Sequence, residues 1–494
     1  MKTVLIANRG EIAVRVAKTC RAMGLRSVAV YSDADRDAVH TRTADAAVAI
    51  GPAESRASYL NGAALIDAAR QSGADAIHPG YGFLSQNGDF ADLCRDSGIV
   101  FIGPPGDVHR RMGDKKGARR LMAAAGVPVV PGYDGDDQQD ATLAGEAQRI
   151  GWPLMIKPSR GGGGKGMRVV RSRDDFAGAL QSSRREALSA FGDDVMVLER
   201  FVERSRHVEV QVLADAHGKT LHLFERECSL QRRHQKVIEE TPSPGLDAGT
   251  RARLVEAGVA AARAATYVNA GTVEFLLDRE GRFYFLEMNT RLQVEHPVTE
   301  AVTGLDLVRL QIEVASGRRL SLGQAEVVTR GHALECRVNA EDPDNQDLPS
   351  PGRILLCVPA SGPGVRFDSG IETGSEVTVH YDPLLAKLIT WGRDRAESIE
   401  RMAAALRDTV VLGVRTNLGR LQDILAHPAF RAGDLHTGFL DEHARDWKPS
   451  EPLPELARDA VARALRLETA PESGRLAPPD PWATLGAWRV GGGA

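Results

Sequence analysis

Nothing in this chain approaches eighteen consecutive apolar residues, so no membrane-spanning helix is expected. The apolar run at its start, Val4-Leu5-Ile6-Ala7, stops at Asn8-Arg9 and is too short for the hydrophobic region of a secretion signal. Cysteine is scarce and unpatterned. Cys20, Cys94, Cys228, Cys336 and Cys357 are odd in number and form no C-x-x-C pair, which argues against a disulfide framework or a zinc knuckle and for a reducing cytoplasm. An excess of one charge is missing too: with a net charge of -4 and a pI near 6.4, there is no overall basic field for nucleic acid or anionic lipid. The first strand-to-helix turn, Asn8-Arg9-Gly10-Glu11, lacks the G-x-G-x-x-G fingerprint, and no G-x-x-x-x-G-K-[ST] occurs, so a nicotinamide dehydrogenase or a Walker-type ATPase is disfavoured. Lysine is also rare, ten residues against 52 arginines, yet Lys115, Lys157, Lys165 and Lys236 all fall inside the motifs below. Where arginine is the general-purpose cation, a lysine marks a place that needs a compact point charge, as beside a phosphate.

What is present is a chain of 494 residues, 43% hydrophobic and 26% charged, long enough for two to four domains around substantial cores. The first hundred residues alternate strands (3–7, 27–31, 76–78, 100–102) with helices (11–23, 61–71), a rhythm that predicts a parallel sheet of Rossmann-like topology. His78-Pro79-Gly80-Tyr81-Gly82-Phe83 follows one of these strands as a site-forming loop or a structural turn. Between 128 and 211 the pattern becomes strands at 152–157, 167–171, 195–199 and 207–213 around a helix at 174–188, a small α+β insertion. A strand at 220–225 and a loop at 226–235 follow. After a hairpin and a helix at 305–316, short strands dominate from 331 on (332–338, 353–359, 376–380, 388–390), with a helix at 396–406. A Pro-rich tail beyond Trp447 reads as a linker.

The densest chemistry lies in Glu287-Met288-Asn289-Thr290-Arg291-Leu292-Gln293-Val294-Glu295-His296-Pro297, at the end of the apolar run 283–286. By the two-residue period Phe283, Phe285, Glu287 and Asn289 share a face. With strand 271–277 paired to it so that Leu277 meets Arg282, Glu274 lies opposite Phe285 and diagonal to Glu287, roughly 7–8 Å away. Two carboxylates and an amide oxygen then converge as hard ligands for Mg²⁺; an edge hairpin with solvated glutamates has the same pattern. Gly161-Gly162-Gly163-Gly164-Lys165-Gly166 formally matches G-x-G-x-x-G but lies between two strands, so its backbone N–H groups suit a loop closing over phosphates, with Lys157 upstream as a nearby cation. Lys115, in Met112-Gly113-Asp114-Lys115-Lys116, is another such candidate cation or a solvated helix start. Glu199-Arg200-Phe201-Val202 follows a strand where an adenine could be met by backbone groups. His207 and Gln211 share a strand face. Gln231-Arg232-Arg233-His234-Gln235-Lys236 reads by itself equally as a charged surface turn; beside the Glu287 to Pro297 motif its donors suit a small anion held next to a phosphate. Arg337, on a strand between Cys336 and Val338, needs a partner or ligand, and Cys228 has no adjacent base and reads as structural.

Taken together these motifs resemble the biotin carboxylases, ATP-grasp ligases that act in acyl-CoA, pyruvate and related carboxylases. The resemblance runs from Ile6-Ala7-Asn8-Arg9-Gly10-Glu11 to about Trp447, through His78 to Ser85, the glycine loop, Arg206 to Glu209, Gln231 to Lys236, Glu287 to Thr299 and Glu335 to Asp342. It implies an α/β fold with α+β parts: a Rossmann-like domain over 1–112, an ATP-grasp domain over 113–330 with a mobile lid at about 129–201, and a mixed, β-rich C-terminal domain over 331–447. Residues 448–494 would form a linker towards an absent carrier domain. By the same resemblance ATP is held by Lys115, Lys157, Gly162, Gly163, Gly164, His207, Gln231, His234 and Leu276, with Glu199 and Val202 at the adenine. Mg²⁺ or Mn²⁺, two ions, is bound by Glu274, Glu287 and Asn289. Lys236, Arg291, Gln293 and the Val294 backbone hold bicarbonate and biotin, Glu295 is the general base that leads to carboxyphosphate, and Arg337 stabilises the biotin enolate. Implied partners are a biotin carrier, a carboxyltransferase and a second copy in a homodimer, with no nucleic acid or membrane. Arg160 stands where many members have a fifth glycine, and Lys165 where they have arginine. No Ala-Met-Lys-Met is present and Lys448 is the only lysine after Lys387, so biotin is expected as a substrate on another carrier.

Overall fold

The structure, a computed structural model, describes residues 1–160, 166–233, 235–444 and 447. Gly162, Gly163, Gly164, Lys165, His234 and the tail from 448 lie outside the described residues. Strands β1 (Thr3–Ile6), β2 (Arg26–Tyr31), β3 (Ala46–Ala49), β4 (Ala76–His78) and β5 (Val100–Phe101) form a parallel five-stranded sheet in the order β3-β2-β1-β4-β5. Continuous apolar runs such as Val4-Leu5-Ile6 suit a strand covered on both faces, and all three residues are fully buried. Helix α1 (Gly10–Ala22) covers one face with Ile12, Ala13, Val16, Ala17 and Cys20 at helical spacing. The strand order reverses between β1 and β4, where crevices form at the carboxyl ends of parallel strands. Asn8 ties the two loops there together, donating from Nδ2 to the carbonyls of Pro79 (2.8 Å) and Tyr81 (2.7 Å).

Strands β6 (Gly132–Tyr133), β7 (Leu154–Pro158), β8 (Arg168–Val170) and β9 (Met196–Arg200) make an antiparallel sheet in the order β6-β9-β7-β8. Two helices, Asp140–Ile150 and Arg173–Phe191, pack on it through Leu143, Ala147, Phe176 and Leu180. The α+β reading of this insertion therefore agrees with the structure.

An eight-stranded sheet runs through the middle of the chain. It contains β10 (Arg206–Ala214), β11 (Thr220–Arg232), β12 (Gln235–Thr241), β13 (Asn269–Leu277), β14 (Phe283–Asn289) and β15 (His332–Asn339) in the order β14-β13-β10-β11-β12-β15, continued by strands Leu384–Gly392 and Val365–Ser369. Several expectations need correction. The loop read at 226–235 is mostly strand, because β11 continues to Arg232 and β12 starts at Gln235; buried charges there replace the apolar alternation that marks an ordinary strand. Leu277 pairs with Phe283, not Arg282, and Phe275 with Phe285; a bulge at Leu286 then sets Glu274 directly opposite Glu287. The extra residue also reverses the faces, so that Phe283, Phe285 and Met288 join the core with Phe275 and Val273, while Glu287 and Asn289 point the other way with Glu274. A helix at His296–Thr303, not read from the sequence, begins inside the motif itself, with Glu295 as its N-cap residue and Pro297 in its first turn. The strand read at 353–359 splits into Gly352–Arg353 and Leu356–Val358, and that at 376–380 shortens to Glu376–Val377. Among the described residues no helix is long and apolar enough to cross a membrane.

Candidate active site

The bulged hairpin creates a row of charge across four adjacent strands. Glu287 on β14, Glu274 on β13, Glu209 on β10 and Arg226 on β11 are successive cross-strand partners. Arg226 is wholly buried, and its guanidinium reaches Glu209, Gln211 (2.8 Å), Thr299 (2.9 Å) and Thr272 (3.1 Å). That fixes β10 and β11 to β13 and to the helix at His296–Thr303.

Lys236, near the start of β12, brings the next layer together. Its ammonium donates to Glu209 (2.6 Å), Glu274 (2.9 Å) and Glu295 (2.6 Å), one carboxylate for each of its three protons. The other oxygen of Glu295 accepts from Nη2 of Arg337 (2.9 Å), and Nε of Arg337 donates to Glu239 (2.7 Å). Burial alone pushes the Glu295 carboxyl up, but Lys236, Arg337 and Arg226 outweigh it and hold it well below the usual carboxylate range. Glu295 is therefore an ionised acceptor in a fully buried position. For Lys236, burial pulls downward, while Cys228 and the carboxylates of Glu209, Glu274 and Glu295 hold it well above the ordinary lysine value. Glu239 lies at about 7, raised by burial against the pull of Arg337.

Glu274 also accepts from Asn289 Nδ2 at 2.8 Å and lies within ion-pair distance of His207 Nε2, at 2.9 Å. Burial raises the Glu274 carboxyl, but Lys236 and His207 overcome that and lower it. Glu287 differs: burial pushes it up and the charge of Glu274 adds to the shift. A buried carboxylate, Glu274, and a half-buried one, Glu287, face each other with an amide beside them, and the cations around them compensate the first but not the second. A divalent hard cation relieves that imbalance, so the donor set fits Mg²⁺ or Mn²⁺.

The predicted phosphate cations gather nearby. Lys157 on β7 pairs with Glu199 on β9, which also meets Arg119 at 3.2 Å. Burial lowers the Lys115 ammonium, with Glu287 opposing the shift and Lys157 adding to it. Leu276 is the cross-strand neighbour of His207, and Gln231 that of Lys236; Val202 follows β9 and is half-buried. Arg291 donates from Nε to Gln86 (2.7 Å) and from Nη1 to Gln293 (2.7 Å), while Gln293 Nε2 lies 3.3 Å from Glu274.

These groups open on a cleft of about 650 Å³. One wall carries Glu274, Glu287, Asn289, Arg291 and Lys236; the facing wall comes from the loops after β1 and β4, with Arg9, Tyr81 and Phe83. A bound anion in it would meet Lys236, Arg291 and Arg337 next to an ionised base. Sequence reading singled out His207, Lys236, Arg291, Glu295 and Arg337 but not Arg226, Glu239, Gln86 or Lys387. A signal for Arg226 existed in the alternation His207-x-Glu209-x-Gln211, which implies a polar sheet face that must find a buried cation.

Three family models match the chain: "Biotin carboxylase, N-terminal domain" over residues 1–108, "Carbamoyl-phosphate synthase L chain, ATP binding domain" over 114–322, and "Biotin carboxylase C-terminal domain" over 335–442. The methylcrotonoyl-CoA carboxylase subunit alpha, mitochondrial, of Rattus norvegicus is 52% identical over 462 residues, covering 93% of this chain and 64% of the relative. The chain thus spans about two thirds or less of the length of this relative and its mouse counterpart, 64% in each. The biotin carboxylase of Nostoc sp. is also 52% identical, over 439 residues that cover 89% of this chain and 98% of that protein. Among solved structures, a biotin carboxylase-beta-gamma-ATP complex from Campylobacter jejuni superposes with a TM-score of 0.87 at 44% identity, covering 90% of this chain and 99% of that one. The biotin carboxylase domain dimer of the Hydrogenobacter thermophilus 2-oxoglutarate carboxylase, in complex with MgADP, ADP and bicarbonate, gives 0.87 at 42% identity, covering 91% and 99%.

Proposed function

This chain belongs to the biotin carboxylase family of ATP-dependent ligases, and from that premise we propose that it carboxylates biotin on a carrier protein. ATP and bicarbonate are consumed, carboxyphosphate forms, and carboxybiotin, ADP and phosphate are released. The reaction serves as the first half of an acyl-CoA carboxylase of the acetyl, propionyl or methylcrotonyl type. The observation that carries this reading is the buried, ionised Glu295, held by Lys236 and Arg337, which themselves line the cleft together with Glu274 and Glu287.

Glu295 takes the bicarbonate proton as the oxygen beside it attacks the γ-phosphoryl group. Lys236, Arg291, Gln293 and the Val294 backbone orient the bicarbonate for that attack. Arg337 then stabilises the negative oxygen that develops on biotin. Lys115, Lys157, His207, Gln231, His234, Leu276 and the glycines at 162–164 hold ATP, with Glu199 and Val202 at its adenine. Glu274, Glu287 and Asn289 hold Mg²⁺ or Mn²⁺, which when bound neutralises phosphate charge.

The same reading divides the chain at about 112 and 330 and makes residues 129–201 a lid. Its partners are a biotin carrier, a carboxyltransferase and a second copy of the chain. It also keeps the protein in a reducing compartment, the cytoplasm, which the free state of all five cysteines supports. ATP hydrolysis tests the central step: it should require bicarbonate and rise on adding free biotin with Mg²⁺ present. Hydrolysis indifferent to both would remove this function.

A further inference from the structure

Lys387, on the strand Leu384–Gly392, is completely buried and plays no part in the reading above. Its ammonium donates to the carbonyl oxygen of Val294 at 2.9 Å and meets Glu11 Oε2 at 3.2 Å, with the Tyr81 ring centroid 5.8 Å away. These three groups come from separate parts of the chain. Glu11 lies in the first turn of α1, Tyr81 follows β4, and Val294 lies between β14 and the helix at His296–Thr303.

The neighbouring carbonyls in that segment are held from within it. Gln293 O accepts from the His296 ring at 2.7 Å, and Leu292 O accepts from Arg291 at 3.0 Å. Val294 O instead takes its donor from a distant strand. The peptide that carries this oxygen also carries the Glu295 N–H, so its plane sets the direction in which the Glu295 side chain leaves the backbone. A buried ammonium needs compensation, and Glu11, itself almost fully buried, supplies it. In a chain so rich in arginine, a compact point charge suits this spot, where a carbonyl and a carboxylate converge on one atom.

We propose that Lys387 is a positioning residue for the bicarbonate site. Anchored by Glu11, it fixes the Val294–Glu295 peptide and so aims the general base and the anion-binding backbone. This deepens the functional reading above and rests on it.

The test is calorimetric titration of bicarbonate into the full chain with MgADP, read beside the unfolding temperature. In Lys387→Met the dissociation constant for bicarbonate should rise at least about tenfold, the scale of one lost charge-assisted hydrogen bond, while the KM for ATP changes less than about twofold. The double variant Lys387→Met/Glu11→Gln removes the stranded carboxylate; its unfolding temperature should recover while its bicarbonate affinity stays weak, because Val294 O still lacks its donor. The double variant also carries the test if Lys387→Met does not fold. Equal bicarbonate affinity in wild type and Lys387→Met, or joint recovery of stability and affinity in the double variant, overturns the positioning role. A wild-type protein that binds no bicarbonate overturns the functional reading, and this inference with it.

Discussion

Around the first sheet, His40 and His78 are buried as neutral rings: burial lowers both to about 4, and each meets an uncharged oxygen, Val30 O at 3.1 Å and Gln311 Oε1 at 3.2 Å. A cluster on the eight-stranded sheet is treated the opposite way. Glu209, Glu274 and Glu295 share the ammonium of Lys236, with Arg226 and Arg337 closing the network. These two histidines beside the first sheet are thus kept neutral, whereas the three carboxylates around Lys236 are paired with its charge. Buried ion pairs contribute little net stability relative to apolar packing, so their concentration on one sheet face marks a place kept for chemistry. The first sheet supplies loops that wall the cleft, with Arg9 and Glu11 among the lining residues; the second supplies Lys236, Glu274, Glu287 and Arg337.

The sharpest way to break this contrast is at the base. Glu295→Gln should lower biotin carboxylation about a thousandfold while ATP affinity changes less than about twofold, since a general base is removed and phosphate contacts are not. Equal loss of ATP binding, measured by titration, makes Glu295 structural. Next in size is Arg226→Met, which strands Glu209 in the interior and should cost about 3–5 kcal/mol of unfolding free energy. Arg226→Met/Glu209→Gln should recover much of it, and denaturant unfolding of both variants reads the difference. For the first sheet, the histidines have folded values of about 4 against an ordinary 6.5. Between those limits the unfolded chain binds protons that the folded chain refuses, so their contribution is full above pH 6.5 and is lost as pH falls towards 4, about 3 kcal/mol each. Melting temperature against pH should flatten over that window in His40→Gln. The smallest effect expected is in Glu287→Gln, which should weaken the apparent affinity for Mg²⁺ about ten- to a hundredfold, in the range for loss of a group supporting a metal site.

The regions also differed in how legible they were. β1, β2 and β4 read correctly because a strand buried on both faces is written as an unbroken apolar run, and β4 was read to the residue. On the central sheet that signal fails where function replaces apolar residues with charge. β12, with Gln235-Lys236-Val237-Ile238-Glu239-Glu240-Thr241, was read partly as a charged loop, although its second half is buried. The hairpin of Glu274 and Glu287 was recognised, but the bulge at Leu286 leaves no local mark, and only the structure shows that the carboxylates face each other directly. Lys236, Arg291, Glu295 and Arg337 were found as separate motifs; the structure brings Lys236, Arg291 and Arg337 to one cleft and sets the buried Glu295 against Lys236 and Arg337. Glu239 and Lys387 were missed because their partners lie far away in sequence, and Arg226 because the polar alternation of β10 was not followed to the cation it requires.

The most direct measurement of the central claim is the initial rate of MgATP hydrolysis against bicarbonate concentration, with and without free biotin, for the wild type and Glu295→Gln. The account predicts a rate that saturates with bicarbonate, rises with biotin and collapses in Glu295→Gln while MgATP binding is retained. A wild-type rate independent of bicarbonate, or a Glu295→Gln rate that still follows it, contradicts the account.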